Sequence, residues 1–169
     1  MKISLNIDFD TENQKDLIVL SKLTESIRLL YESSEVTAAS FSYEDAWLQC
    51  SWEIIAFAIT VLTICDGETD KGTYAFFDSL LNPASTPLCG ALNERGISSR
   101  VGRTAVVCKK MGGIRLLEVA VRRKDQAKRV YIGNEAKEAL LKLLRGKWGK
   151  EFEDYLTGNG LEAPNYDNL

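Results

Sequence analysis

Histidine is absent from this 169-residue sequence, and its absence excludes every mechanism that needs an imidazole. A Ser-His-Asp or Cys-His nucleophile cannot be assembled, and neither can an HExxH motif or a zinc site with histidine ligands. The sequence also contains no phosphate-binding glycine loop and no pairing of a base with a nucleophile. We therefore expect no enzyme, no catalytic residues and no cofactor.

The sequence also lacks a CxxC pair and a long apolar run. Its four cysteines, Cys50, Cys65, Cys89 and Cys108, stand singly among apolar neighbours, which is typical of buried free thiols in a reducing compartment. A zinc site made from all four needs an unusual spacing, so no metal site is predicted. No segment reaches the about 20 apolar residues of a membrane helix, and the acidic, alternating start is unlike a signal peptide. We expect a cytoplasmic protein with no membrane partner.

Charge is strongly segregated along the chain. Residues 1–93 hold five basic and fourteen acidic side chains, residues 94–150 hold sixteen basic and five acidic ones, and residues 151–169 hold five acidic ones. A basic block of this density is typical of a surface that binds a polyanion such as nucleic acid. The alternatives are a solvated basic face and a face that pairs with the acidic half of the same fold.

The first half of the chain has the periodicity of a strand followed by helices. Residues 2–9 alternate apolar and polar side chains, which predicts a half-buried strand, and leucines at steps of three and four predict an amphipathic helix over residues 12–33. Ser42 opens a second helical region, in which residues 46–65 are mostly apolar. This segment belongs either in a core or in a dimer interface. The polar residues 66–72 are interpreted as a loop that joins two halves.

The second half predicts three short helices, a basic hairpin and a further helix. The three predicted helices cover residues 73–81, Thr86 to Gly96, and 99–111. Ser98 is the predicted N-cap of the third helix, and Gly112 and Gly113 are predicted to end it. Strands are predicted at 114–121 and 130–132, and the last helix is predicted to be capped by Asn134. The caps and stops follow from the residue types at those positions. This order is that of a winged helix-turn-helix, in which the second helix of the pair enters the major groove of DNA.

Residues 101–114 read VGRTAVVCKKMGGI, with an arginine near the start, a core position, a basic pair and closing glycines. Residues 124–132 and 134–141 add a basic turn, a strand and the start of a helix. These segments resemble the recognition helix, the wing and the following helix of the MarR family, with Cys108 where that family usually has leucine. The resemblance covers residues 73–145 and implies a winged helix that binds DNA.

The chain also departs from that family. The turn before Ser98 is about one residue short, Arg95 stands where a hydrophobic residue is usual, and the family's outer dimerising helices are not evident. We therefore carry over DNA binding but not ligand sensing. The predicted fold is α+β and mostly α, with a strand and helices for dimerisation in residues 1–66, a winged helix-turn-helix domain in 73–157 and a flexible tail in 158–169.

The predicted function is sequence-specific binding of double-stranded DNA by a homodimeric transcription regulator, with repression favoured. The helix over residues 98–111 is expected in the major groove, and the wing over 122–129 on the backbone or in the minor groove. The predicted contacts are Ser98, Ser99, Arg100, Arg103, Thr104, Lys109, Lys110, Arg122, Arg123, Lys124, Gln126, Lys128 and Arg129. Gly102 lowers helix stability by up to about 1 kcal/mol relative to alanine, and it either lets DNA approach closely or relieves packing against a neighbouring helix.

Two other functions fit the composition. A phage- or plasmid-type module that docks on a nucleic-acid enzyme is also small and acidic, and a winged-helix scaffold can bind protein without reading DNA. Binding through an apolar docking surface is expected to depend little on salt, whereas DNA binding falls steeply with salt. The other alternative is an enzyme in which Asp66, Glu68 and Asp70 hold Mg²⁺, although an acidic loop of this kind is usually only solvated.

Overall fold

The computed structural model describes Lys22, residues 41–121 and residues 126–166. The chain divides into two compact units, Met1–Ser40 and Phe41–Leu169. The strand predicted at residues 2–9 and the helix predicted at residues 12–33 lie outside the described residues, apart from Lys22, which is helical and exposed. The elements that follow all belong to the second unit.

The described part of the second unit contains six helices and four strands. In chain order they are α1 (Tyr43–Leu48), α2 (Trp52–Ile64), β1 (Gly67–Thr69), β2 (Gly72–Phe76), α3 (Phe77–Leu81), a 3-10 turn (Pro83–Ser85), α4 (Glu94–Lys110), β3 (Glu118–Val121), β4 (Lys128–Gly133), α5 (Asn134–Leu144) and α6 (Lys147–Gly158). The strands form one antiparallel sheet in the order β1-β2-β4-β3. The predicted α+β class is therefore confirmed.

One face of the sheet carries the core. Ala75 of β2 and Val130 and Ile132 of β4 are fully buried there, where helices α2, α3 and α5 contact β2 and β4. Val119 of β3 lies directly opposite Val130 and so shares this face. Because β4 lies between β2 and β3, the β3–β4 hairpin is anchored to the core through its inner strand, and among the described strands β3 is an edge of the sheet.

The apolar stretch over residues 46–65 forms two helices. Ser42 caps α1 in a capping box with Asp45, which confirms that a helical region opens there. The helix ends before residues 49–51, and α2 follows. Every residue of α2 from Ile54 to Leu62 is buried within its own chain. Helix α2 is therefore a core helix, and the interpretation of this segment as a dimer interface is set aside.

Residues 66–81 differ from their prediction. The predicted loop over residues 66–72 contains strand β1 and the start of β2, and the first half of the predicted helix over 73–81 is the rest of β2. Threonine, tyrosine and phenylalanine in this stretch favour a strand on a half-buried sheet. The hairpin belongs to the sheet against which α2 packs, so the compact unit holds residues on both sides of the predicted junction.

Asp66 sets the point where α3 begins. Its carboxylate accepts a hydrogen bond from the Phe76 N–H at 2.7 Å and another from the Ser79 hydroxyl at 2.9 Å. A carboxylate at this position satisfies an N–H group that has no partner inside the helix and interacts favourably with the helix dipole. Helix α3 consequently starts at Phe77, four residues later than the predicted helix.

The helix predicted from Thr86 is not formed. Thr86 is buried, and its hydroxyl donates to a backbone carbonyl four residues further on at 3.0 Å, which stabilises a turn instead. Helix α4 begins at Glu94, where the side chain of Asn93 accepts a hydrogen bond from the Gly96 N–H at 2.7 Å. Ser98 is therefore inside α4 and not its N-cap, and Gly96 does not end a helix.

The C-terminal end of α4 and the first residue of α5 lie close to their predicted positions. Gly112 and Gly113 follow α4 with φ values of 72° and 85°, and the Gly113 N–H donates to the Cys108 carbonyl at 2.9 Å. This left-handed pair stops the helix, as predicted. The predicted helix after the hairpin is α5, but its N-cap is Gly133 and Asn134 is its first residue.

Helix α6 completes the core. Trp148 of α6 packs against Trp52 of α2 with ring centroids 4.8 Å apart. Helix α6 also approaches the end of α5 so closely that a Cβ on Gly149 would overlap a backbone carbonyl oxygen there. Beyond α6, Leu161 and Tyr166 pack against the core, within the segment predicted as a flexible tail.

Candidate nucleic-acid interface

Helix α4 has one buried side and one exposed side. Successive residues of a helix are rotated by about 100°. The buried side consists of Ile97, Val101, Thr104 and Cys108. The opposite side consists of Arg95, Ser98, Ser99, Gly102, Val106, Lys109 and Lys110, which are all exposed. We call this set the exposed face of α4; it carries three cations and no acid.

Besides Gly102, two residues of the exposed face were not predicted as contacts. Arg95 lies in the first turn of α4, and Val106 is 59% exposed. Arg95 was missed because α4 was predicted to begin after Ser98, which left Arg95 at the end of the preceding predicted helix, from Thr86 to Gly96. The signal that finds both residues is the helical period itself, because counting from Glu94 places Arg95, Gly102 and Val106 on one line along the helix.

Gly102 lies at the centre of the exposed face. A Cβ at this position would meet nothing within 4 Å. Packing against a neighbouring helix therefore does not require glycine here, which removes one of its two interpretations. The remaining interpretation is close approach of an external surface to the helix backbone.

Thr104 is not available to bind DNA in this structure. Its side chain is fully buried, and its hydroxyl donates to the Val101 carbonyl at 2.7 Å. Thr104 lies on the same side of α4 as Val101 and Cys108, which were already predicted as core positions. The prediction for Thr104 is therefore wrong, and its helical position explains the burial.

Arg100 turns toward the core. Its guanidinium donates to the Gly96 carbonyl at 3.4 Å and lies 5.9 Å from the ring centre of Phe57 in α2. Burial raises the pKa of the nearby Cys89 thiol, and the positive charge of Arg100 acts in the opposite direction. Arg100 was predicted as a DNA contact, but it lies between α4 and α2 and off the exposed face.

Arg103 is also exposed on the side of α4 opposite the buried residues, next to Gly102, but it has a partner in the fold. Its guanidinium donates to the Glu53 carboxylate of α2 at 3.1 Å, and both side chains are about half exposed. An ion pair this exposed contributes at most about 1 kcal/mol to stability. Arg103 is therefore accessible to a ligand, but it is partly neutralised by Glu53.

The loop end of the β3–β4 ladder lies beside the start of α4. Lys128, the first residue of β4, donates to the Glu94 carboxylate at 2.6 Å. The guanidinium of Arg129 stacks on the ring of Tyr74 in β2, 4.7 Å from the ring centre, so this side chain lies over the neighbouring strand of the sheet. Gln126 is exposed. Three further predicted contacts, Arg122, Arg123 and Lys124, lie outside the described residues.

Two other predictions concern metal and thiol chemistry. No group of three histidine, cysteine, aspartate or glutamate side chains that could hold a metal ion occurs in the described ranges. Asp66 caps α3, and Glu68 lies 3.6 Å from the Lys137 ammonium.

Cys65 is exposed, contrary to the prediction that all four thiols are buried. Burial raises the pKa of the Cys50 thiol to about 12, so this thiol is protonated at neutral pH.

No helix within the described residues is long and apolar enough to cross a bilayer.

The resemblance to the MarR family stays a prediction made from residues 101–141. A search of protein-family models, of curated proteins and of solved structures finds no significant match to this chain.

Proposed function

We propose that the chain is a winged-helix protein that binds double-stranded DNA, with α4 in the major groove and the β3–β4 hairpin as the wing. The order of helix α2, strand β2, helices α3 and α4 and then a hairpin agrees with this arrangement. The observation that carries the proposal is the 2.6 Å contact between Lys128 and Glu94. It joins the loop end of the β3–β4 ladder to the first turn of α4, so that both elements can face one duplex.

The charges of the exposed face support the same function. Arg95, Lys109 and Lys110 present three cations to solvent, and no acidic side chain belongs to that face. Each cation that neutralises a phosphate releases counterions, which makes the affinity for DNA dependent on salt. The two serines near the start of α4 supply hydroxyl groups that suit phosphate oxygens.

We further propose that the protein acts in the cytoplasm as a homodimeric regulator, with repression as the favoured outcome. One small winged helix makes few base contacts, and two copies related by a two-fold axis can read two half-sites about one helical turn apart. Because α2 is buried in its own chain, the dimerisation proposed for residues 1–66 depends on residues outside that helix.

An electrophoretic mobility shift tests the DNA-binding proposal. The probe is the DNA upstream of the protein's own coding sequence, with a scrambled duplex as competitor at about 150 mM salt. We expect a discrete complex that the competitor does not remove. No complex with this DNA, and none with a pool of genomic fragments, would contradict the proposal.

A protein-docking function remains the second candidate, because the edge strand β3 exposes two valines. Val119 is 42% exposed and Val121 is 51% exposed. An edge strand with unpaired backbone groups and apolar side chains can accept a strand from another protein. This function predicts binding that depends little on salt, and the substitution Val121→Glu would abolish it.

A further inference from the structure

We propose that Arg95 and Val106 specify the bases that the protein reads, with Arg95 on a guanine and Val106 on the 5-methyl group of a thymine. This inference rests on the proposed binding of duplex DNA. It moves base recognition away from Arg100 and Arg103, because Arg100 packs on Phe57 and Arg103 pairs with Glu53.

Arg95 is the arginine of α4 best placed for bidentate recognition. It is exposed in the first turn of the helix. Within the described part of the chain it has no ion-pair partner, because its acidic neighbour Glu94 is held by Lys128. A free guanidinium donates two parallel hydrogen bonds to O6 and N7 of guanine, which is the commonest specific contact in the major groove.

Val106 is the apolar residue of the exposed face. It is 59% exposed between cationic and small side chains, although burial of a valine is favourable. The 5-methyl group of thymine is the apolar feature that base edges present in the major groove. Gly102, one turn earlier, has open space around its Cα, so a duplex can approach closely enough for Val106 to touch that methyl group.

The spacing of the two residues limits the spacing of the two bases. Arg95 and Val106 are eleven positions apart, which is about 16 Å along a helix at 1.5 Å per residue. At 3.4 Å per base pair this distance corresponds to at most about five base pairs. The guanine and the thymine are therefore expected within one half-site.

Base analogues test each contact separately. Duplexes that bind the wild-type protein are first enriched from a random library. In the enriched site, each thymine is then replaced by uracil, which lacks the methyl group, and each guanine by 7-deazaguanine, which lacks N7. We expect one uracil substitution to weaken wild-type binding about fourfold, the value of one buried methyl group. We expect one 7-deazaguanine substitution to weaken it at least about fivefold.

Four variants assign these effects to side chains. Val106→Ala is expected to lose the sensitivity to uracil, and Arg95→Ala is expected to lose the sensitivity to 7-deazaguanine. Leu48→Ala and Arg115→Ala are controls, since both residues are exposed and lie outside α4 and outside the β3–β4 hairpin. The controls are expected to keep both sensitivities. All four positions are at the surface, so circular dichroism is expected to show native folding.

The outcomes separate this inference from the proposed function. An enriched site with the expected pattern supports both. An enriched site at which Val106→Ala and Arg95→Ala keep the wild-type sensitivities overturns the base assignment and leaves DNA binding in place. A library that yields no enriched site overturns the proposed function together with this inference.

Discussion

Helices α2 and α4 differ in how much of their surface the fold uses. Helix α2 is buried on all sides from Ile54 to Leu62, and these residues are apolar except for Thr60. Helix α4 is longer, but only one side of it packs against the core, and the other side presents cations, serines, a glycine and a valine to solvent. A helix that is apolar all round stabilises the core. Where only one side of a helix packs against the core and the other side is basic, the basic side is free to bind a polyanion.

The largest expected effect tests whether α2 is part of the core while the exposed side of α4 contributes little to stability. Phe57 is fully buried in α2, so Phe57→Ala removes its apolar surface and leaves a cavity. The free energy of unfolding is expected to fall by about 3–5 kcal/mol. Urea denaturation of this variant and of Lys109→Ala measures the difference, because an exposed lysine on α4 is expected to change stability by less than about 0.5 kcal/mol. Similar losses in the two variants would contradict the assignment of core and surface.

Gly102→Ala sharpens the comparison by separating stability from binding. Gly102 lies in the exposed interior of α4 with open space around it, so alanine is expected to raise the free energy of unfolding by up to about 1 kcal/mol. The added methyl group is expected to weaken DNA binding if the duplex approaches the helix backbone here. Thermal unfolding and the mobility shift give the two values. A variant that is more stable and binds DNA as tightly as the wild type would show that Gly102 has no role in close approach.

Glu53→Gln is expected to change stability only slightly. It removes the charge that faces Arg103 across 3.1 Å, and the exposed pair contributes at most about 1 kcal/mol. The affinity for duplex DNA is expected to rise at low salt, because Arg103 is then no longer neutralised and a negative charge near the DNA is lost. Fluorescence anisotropy with a labelled duplex measures the change. An unchanged or weaker affinity would place Arg103 outside the interface.

Local patterns in the sequence predicted the parts of the fold that depend on near neighbours. The capping residue Ser42, the glycine stop after α4 and the basic hairpin were all found in this way. Each depends on residues within a few positions of one another, so propensity and periodicity are sufficient.

Long-range partners decided the parts that the sequence did not predict. Strand β2 forms a local hairpin with β1, but its other partner, β4, lies more than fifty residues further along the chain, and β2 was predicted as helix. The start of α4 was placed too late because Ser98 and Asn93 are both suitable caps. Because the N-terminal turn of a recognition helix points toward the bases, the late start made Arg100 a predicted base contact and left out Arg95, which is in the first turn of α4.

The salt dependence of DNA affinity is the most direct test of the central claim that the exposed side of α4 binds duplex DNA. The wild type, a Lys109→Ala and Lys110→Ala double variant, and a Lys150→Ala control from α6 are titrated with one enriched duplex at several salt concentrations. The account predicts that the logarithm of the affinity falls linearly with the logarithm of the salt concentration. The slope is expected to be about 2 smaller in the double variant and unchanged in the control. Equal slopes in all three proteins would contradict the account.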